Sequence, residues 1–379
     1  VKITAIKAFA TVSPVSDWVF VKVETDQPGL IGWGECSLPG KPNAMLGAVA
    51  DLEKLVVGAD PTNTEWCWQR MYRHAFWRGG PIQTAALSGV DIALWDIRGK
   101  LANQPVYKLM GGAVRDRIRL YANCGLSSDP EELRRRVRHA VSLGYTAVKF
   151  YPLPAVNAVD SLATIRQVVA CCEAVRDEIG AERDFALDFH GRLSSGFAVE
   201  IESAIRHTKP LWIEEPVLPE TPKALARLAE KCVIPIAVGE RLFTRFDFRE
   251  VLENEWATVI QPDVANAGGI TEMMKIAAFA ETYGVALAPH NPNGPVQSIA
   301  GMHLAAALQP FVILEHRHEH HDFLEQLADN IPKVGADGYV GLPKGPGLGI
   351  HVNEEFARAN NHGTWIPEVF RADGTIGDW

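Results

Sequence analysis

The stretch Phe185-Ala186-Leu187-Asp188-Phe189-His190-Gly191-Arg192 decides the fold. A short apolar run ends in an acid, a histidine and a glycine, which reads as a buried strand with its chemistry gathered at the carboxyl end. The same form recurs on both sides. Upstream are Ile118–Cys124 and Ala147–Tyr151, the latter ending Lys149-Phe150-Tyr151. Downstream are Leu211–Glu214, running into Glu215-Pro216, and Ile236–Gly239, running into Glu240-Arg241. Thr258–Gln261 continues to Pro262-Asp263, Val285–Ala288 to Pro289-His290-Asn291, and Val312–Leu314 to Glu315-His316. Amphipathic helical stretches separate the eight runs at roughly 25 to 40 residues per unit, the length a strand–helix unit needs. The expected fold class is α/β, a parallel (β/α) TIM-type barrel over residues 116–340.

The residues before the barrel read differently. Val1–Thr11 and Trp18–Thr25 alternate apolar and polar side chains, and Gly29–Trp33 continues toward Glu35, so a three-stranded meander is expected. Helical periodicity follows over Leu46–Leu55, Thr64–Phe76 and Thr84–Leu101, broken at Trp77-Arg78-Gly79-Gly80-Pro81. Residues 1–115 therefore form an N-terminal α+β domain, and the Gly- and Pro-rich segment 341–379 is expected to pack back on it.

Bulk properties narrow the function. The net charge of -9 argues against a binder of nucleic-acid backbones, which needs a basic face. It leaves room for an anionic small molecule held by a local cation. No segment reads as a signal peptide or a membrane span. The six cysteines form no C-x-x-C pair and read as reduced thiols, consistent with a cytoplasmic protein.

In a barrel of this kind, reactive residues come from the carboxyl ends of several strands. Asp188, Glu214 and Glu240 end three successive runs at intervals of 26 residues, so their carboxylates can converge at the barrel mouth. Three unpaired carboxylates repel at low dielectric, and a divalent cation resolves the conflict. An all-oxygen ligand set suits Mg²⁺. Asp188 and His190 are two apart, as are Lys149 and Tyr151, so each pair shares a strand face. Asp263 and His290 end neighbouring strands, where a carboxylate can fix an imidazole's tautomer and raise its basicity.

These residues bring a known family into view. The sequence resembles the mandelate racemase subgroup of the enolase superfamily, and within it the acid-sugar dehydratases that act on galactonate. The resemblance runs nearly the whole chain. It is carried by Phe76-Trp77-Arg78-Gly79-Gly80-Pro81, Leu94-Trp95-Asp96-Ile97, Asp188-Phe189-His190-Gly191-Arg192, Ile213-Glu214-Glu215-Pro216-Val217 and Gly239-Glu240-Arg241. Further on lie Arg245-Phe246-Asp247-Phe248, Gln261-Pro262-Asp263, Ala267-Gly268-Gly269-Ile270-Thr271-Glu272 and Leu287-Ala288-Pro289-His290.

The resemblance implies that the α+β domain caps the barrel and that Asp188, Glu214 and Glu240 bind Mg²⁺. It implies that His290, paired with Asp263, removes the proton next to a substrate carboxylate, and that His190 protonates the departing hydroxyl. Glu315 would hydrogen-bond a carboxylate oxygen as the intermediate forms. The implied activity is a hydro-lyase reaction on an aldonate, giving a 2-keto-3-deoxy acid, by a homo-oligomer with a small-molecule acid-sugar substrate and no nucleic-acid or membrane partner.

The chemistry agrees: proton loss beside a carboxylate builds an enediolate, for which a metal, Lys149 and a protonated Glu315 are suitable electrophilic partners. The resemblance departs at the second strand. Racemases and cycloisomerases show Lys-x-Lys there and galactonate dehydratases Lys-x-Asn, whereas this chain has Lys149-Phe150-Tyr151 followed by Pro152-Leu153-Pro154. Tyr151, with the segments Ser13–Trp18 and Cys36–Pro42, is expected to set which acid sugar fits. A racemase or epimerase using the same intermediate stays open, with His190 as second base. A non-catalytic sugar-acid binder would have lost a ligand or a base. A barrel glycosidase would show a carboxylate pair without the His–Asp pair and the acidic trio.

Overall fold

The computed structural model describes residues 1–379 except Ala75, His362, Gly363, Trp365, Pro367 and Ala372. The first strands are β1 (Ile3–Val12), β2 (Asp17–Thr25) and β3 (Ile31–Glu35), paired antiparallel in the order β1-β2-β3. Three helices follow: α1 (Pro42–Val56), α2 (Thr64–His74) and α3 (Pro81–Leu101). The expected continuation of α2 toward Phe76 crosses Ala75, outside the described residues. The break at Trp77–Pro81 is the entry to α3, where Pro81 occupies the first turn and its missing N–H costs nothing.

Helix α3 is buried along most of its length because both layers use it. On one side Gly32 and Gly34 of β3 let the sheet backbone close onto it. A Cβ at Gly32 would come within 2.1 Å of the Ala93 carbonyl oxygen, and one at Gly34 within 1.8 Å of that of Gly89. On the other side α3 meets the barrel helix Gly269–Thr282. Asp91 accepts from the Thr271 hydroxyl at 2.6 Å and from its backbone N–H at 2.9 Å, and the Trp95 indole donates to the same hydroxyl at 2.8 Å.

The barrel strands are β4 (Arg117–Leu126), β5 (Ala147–Tyr151), β6 (Asp184–Asp188), β7 (Ile213–Glu214), β8 (Ile236–Val238), β9 (Val259–Ile260), β10 (Ala286–Leu287) and β11 (Leu314–His316). They pair in parallel, β10 beside β9 and so on to β4, which also pairs β11. The ring closes where the Leu287 N–H donates to the Pro310 carbonyl and the Val312 N–H to that of Leu287, both at 2.9 Å.

Strand alternation then assigns the two faces. Phe150, Leu187, Ile213, Ile260 and Leu314 point outward into the main core under the helices. Tyr121, Ala147, Ala186, Trp212, Ala237, Val259, Ala288 and Ile313 form a separate apolar layer inside the barrel. Two residues further along, the same inward face carries Asn123, Lys149, Asp188, Glu214, Gln261, His290 and Glu315. A small apolar floor thus supports a polar layer at the mouth.

The segment after the barrel divides its contacts. Strand β12 (Tyr339–Gly341) pairs antiparallel with β4. The Leu348 N–H donates to Asp96 of α3 at 2.8 Å, and Lys22 of β2 pairs with Glu354 at 2.9 Å. Ile366, Glu368, Val369, Phe370 and Trp379 line the barrel mouth, where Arg192 reaches the Asp378 carbonyl. Among the described residues, no helix is long and apolar enough to cross a membrane.

Candidate active site

The polar layer opens into a cavity of about 930 Å³ lined by His190, Glu240 and His290 below and by Ser16 and Leu38 of the first domain above. Asp188, Glu214 and Glu240 each offer one carboxylate oxygen, and these atoms lie within 4.8 Å of one another. Glu240 would fall out of register if β8 kept its alternation, since position 239 follows Ala237 on the inward face. Gly239 solves this with φ 137°, a conformation that favours glycine, and any Cβ there would press to 2.7 Å from the Phe248 ring.

The electrostatics of this trio fit a divalent cation. Burial, together with the nearby carboxylates of Asp188, Glu315 and Glu240, pushes Glu214 well above the usual carboxylate range despite Lys149. Asp188 is also buried, but His190 and Lys149 hold it low. Among the described residues its Oδ2 has no hydrogen-bond partner of good geometry, although Lys149 Nζ lies at 3.5 Å and His190 Nε2 at 3.3 Å. A buried acceptor without a donor, next to a second acid that resists ionisation, is what an oxygen-ligated cation would relieve.

Lys149 is fully buried, with Nζ 2.5 Å from Glu214 and 3.2 Å from Glu315. Burial disfavours its charge, but those carboxylates outweigh it and keep it an ammonium. The rings of Tyr121 and Tyr151 each lie 5.7 Å from Nζ and add a weaker attraction. Glu315 is boxed by donors: besides Lys149, it accepts from Asn123 Nδ2 at 2.8 Å and from the Asn291 N–H at 2.9 Å. Burial alone would raise it, yet Lys149 and His290 hold it below the usual range. The expectation of a protonated Glu315 therefore does not match its surroundings, which favour the carboxylate.

The two histidines flank the trio. His290 Nδ1 lies 2.8 Å from Asp263 Oδ2, which leaves Nε2 facing the cavity 3.2 Å from Glu240. Burial opposes its protonation, but Glu240 and Asp263 overcome this and raise it to about 10. Much of that pull comes from Glu240, whose charge a bound cation would take up. His190 sits on the other flank against Asp188. Its backbone has φ 49°, and its N–H donates to Asp188 Oδ1 at 2.9 Å, a turn that lifts the ring over the carboxylate. Tyr151 covers the ring with centroids 4.6 Å apart.

Each residue singled out from the sequence thus lies in one connected cluster. Sequence reasoning missed Asn123, which also binds the Tyr151 hydroxyl at 2.6 Å, and Gln261, which donates to Glu214 Oε2 at 2.7 Å. Both occupy the inward register of their strands, and that register was the available signal.

Comparisons with known proteins agree with this architecture. Residues 4–111 match the family described as mandelate racemase / muconate lactonizing enzyme, N-terminal domain, and residues 132–356 match enolase C-terminal domain-like. The chain is 38% identical over 370 residues to a D-galactonate dehydratase of Pectobacterium atrosepticum, covering 96% of each. It is 41% identical over 371 residues to one of Xanthomonas campestris pv. campestris, again covering 96% of each. A solved mandelate racemase/muconate lactonizing enzyme-like protein from Roseovarius sp. TM1035 superposes with a TM-score of 0.91 at 35% identity, over 96% of this chain and 97% of that one. A mandelate racemase/muconate lactonizing enzyme from Sulfitobacter sp. gives 0.90 at 34%, over 96% of each. The chain belongs to the mandelate racemase/muconate lactonizing enzyme family of the enolase superfamily. It is an enzyme of the hydro-lyase class, with a small-molecule substrate and a site suited to a divalent metal.

Proposed function

We propose that this enzyme is a Mg²⁺-dependent dehydratase of aldonates, acting on D-galactonate or a close stereoisomer. The observation that carries the reading is the placing of two histidines on opposite flanks of one carboxylate trio, His190 against Asp188 and His290 against Glu240. The names of the relatives support the substrate class.

Asp188, Glu214 and Glu240 would hold the Mg²⁺ ion. When bound, it offsets the negative charge that a substrate carboxylate gains as the adjacent carbon loses its proton. Lys149, its ammonium fixed by Glu315 and Glu214, adds positive charge beneath that carboxylate. His290 takes the C2 proton on Nε2, because Nδ1 is committed to Asp263. The electron pair left at C2 forms an enediolate and then expels the C3 hydroxyl. Hydroxide is a poor leaving group, so His190 protonates it and it departs as water. The enol that remains ketonises to a 2-keto-3-deoxy acid. With the histidines on different flanks, proton and hydroxyl leave from opposite faces. The same reading takes residues 1–115 as the cap, 116–340 as the catalytic barrel and 341–379 as a segment returning on both.

The test is a panel of aldonates and aldarates incubated with enzyme and Mg²⁺, assayed for 2-keto-3-deoxy products. Six-carbon aldonates are expected to be turned over. Racemisation of a 2-hydroxy acid without dehydration would move the assignment to the epimerases.

A further inference from the structure

Lys149, His290 and His190 account for the substrate carboxylate, C2 and C3, and Ser16 and Leu38 of the first domain stand above them; one further wall of the cavity has no role so far. That wall comes from the far end of the sequence. Two stretches here lie side by side: Phe370 bridges Ile376 antiparallel, and the Gly377 N–H donates to the Val369 carbonyl at 2.9 Å. Two arginines staple this hairpin over the mouth. Arg371 Nε donates to the Val156 carbonyl at 3.1 Å, beyond β5. Arg192, buried beyond β6, donates from Nε to the Asp378 carbonyl at 3.0 Å and from Nη1 to the Leu153 carbonyl at 3.0 Å.

The result is an indole beside the proposed acid. The Trp379 ring lies 6.2 Å from the His190 ring at 73°, and Tyr151 covers that ring at 4.6 Å. Trp379 remains 49% exposed and lines the cavity, so its ring has surface left to offer a ligand. Arg192 Nη2 also stands 3.4 Å from His190 Nδ1, so one side chain anchors both the hairpin and the histidine's outer edge.

We propose that Trp379 is a specificity-determining residue that contacts the substrate chain beyond C3, an inference that rests on the acid-sugar reading. In that reading the carboxylate end lies over Lys149 and the metal trio, and the reacting carbons lie between the histidines. C4 to C6 must then run past His190 toward the hairpin. The C–H faces of a polyol stack well on an aromatic ring, which offers area at little entropic cost. Binding energy from such a remote part of the substrate can be used at the reacting carbons. A three- or four-carbon hydroxy acid does not reach the indole.

The experiment compares wild-type enzyme, Trp379→Ala and Trp379→Phe, each loaded with Mg²⁺, on a six-carbon and a four-carbon aldonate. Trp379→Ala should lower kcat/KM for the six-carbon acid about 10- to 100-fold, the scale of losing one aromatic anchor. It should leave any turnover of the four-carbon acid within about twofold, and Trp379→Phe should restore most of the loss. Thermal unfolding of the three proteins checks that the fold is unchanged. Equal loss on both acids, or no loss on either, while the wild type dehydrates aldonates, would overturn the inference alone. Failure of the wild type to dehydrate any aldonate would overturn the acid-sugar reading and the inference with it.

Discussion

His290 and Asp263, side chains from neighbouring strand ends and 27 positions apart, meet through Nδ1 and Oδ2 at 2.8 Å. The carboxylate fixes which nitrogen carries the proton, and so which one faces the cavity. Asp263→Asn keeps the contact's size but can present an amide N–H to Nδ1, which reverses the tautomer. We expect kcat to fall by roughly 10²–10⁴-fold, the span of a positioned proton transfer, with substrate KM little changed. Steady-state kinetics on the aldonate that the wild type prefers measures both.

The Lys149 ammonium is packed among Glu214, Glu315 and Asp188 with no access to water. Lys149→Met should therefore destabilise the metal-free protein by about 3–5 kcal/mol, since it leaves buried carboxylates uncompensated. Added Mg²⁺ should recover part of that loss, because a cation on Asp188, Glu214 and Glu240 replaces some of the missing charge. Any of those three changed to Ala should abolish Mg²⁺ binding by calorimetry and turnover together. Thermal unfolding with chelator and with Mg²⁺ separates the cases: an unchanged midpoint on adding metal to the wild type contradicts the metal site.

His303 is buried and neutral by construction. Its Nδ1 accepts from the Tyr107 N–H at 3.2 Å and its Nε2 donates to the Leu348 carbonyl at 3.0 Å. Burial lowers it from 6.5 to about 4, although the Leu348 carbonyl opposes this. With the folded value below the unfolded one, the unfolded chain binds the extra proton between those limits. The stability it contributes is present above pH 6.5 and is lost progressively as pH falls toward 4. Between pH 8 and 5 the loss is about 2 kcal/mol. In urea titrations, His303→Asn should be less stable than wild type at pH 8 but should show a shallower acid loss by that amount.

Much of the barrel was legible because a strand buried on both faces reads as a short continuous apolar run, and Asp188, Glu214 and Glu240 close three successive runs 26 residues apart. Period-two spacing also paired Lys149 with Tyr151 and Asp188 with His190, which needs no tertiary knowledge. Other features were not legible. Glu240 enters the trio only through the backbone of Gly239, a conformation that sequence spacing does not reveal. The groups that hold Glu315 low include Asn123 and Lys149, far away in the chain. Leu94–Ile97 and Ala267–Glu272 marked the family without stating a role; in the structure they are the surfaces that dock α3 on the barrel, through Trp95 and Thr271. Trp379 reaches His190 across 189 positions, a contact that periodicity cannot report.

The central claim is that His290 removes the C2 proton and His190 expels the C3 hydroxyl. The most direct test is proton NMR of an aldonate in D₂O with Mg²⁺ and either His190→Asn or His290→Asn. The His190 variant should fail to dehydrate yet still exchange the C2 hydrogen for deuterium, whereas the His290 variant should do neither. Exchange by the His290 variant but not by the His190 variant would reverse the roles. Wild-type dehydration by both would contradict the account.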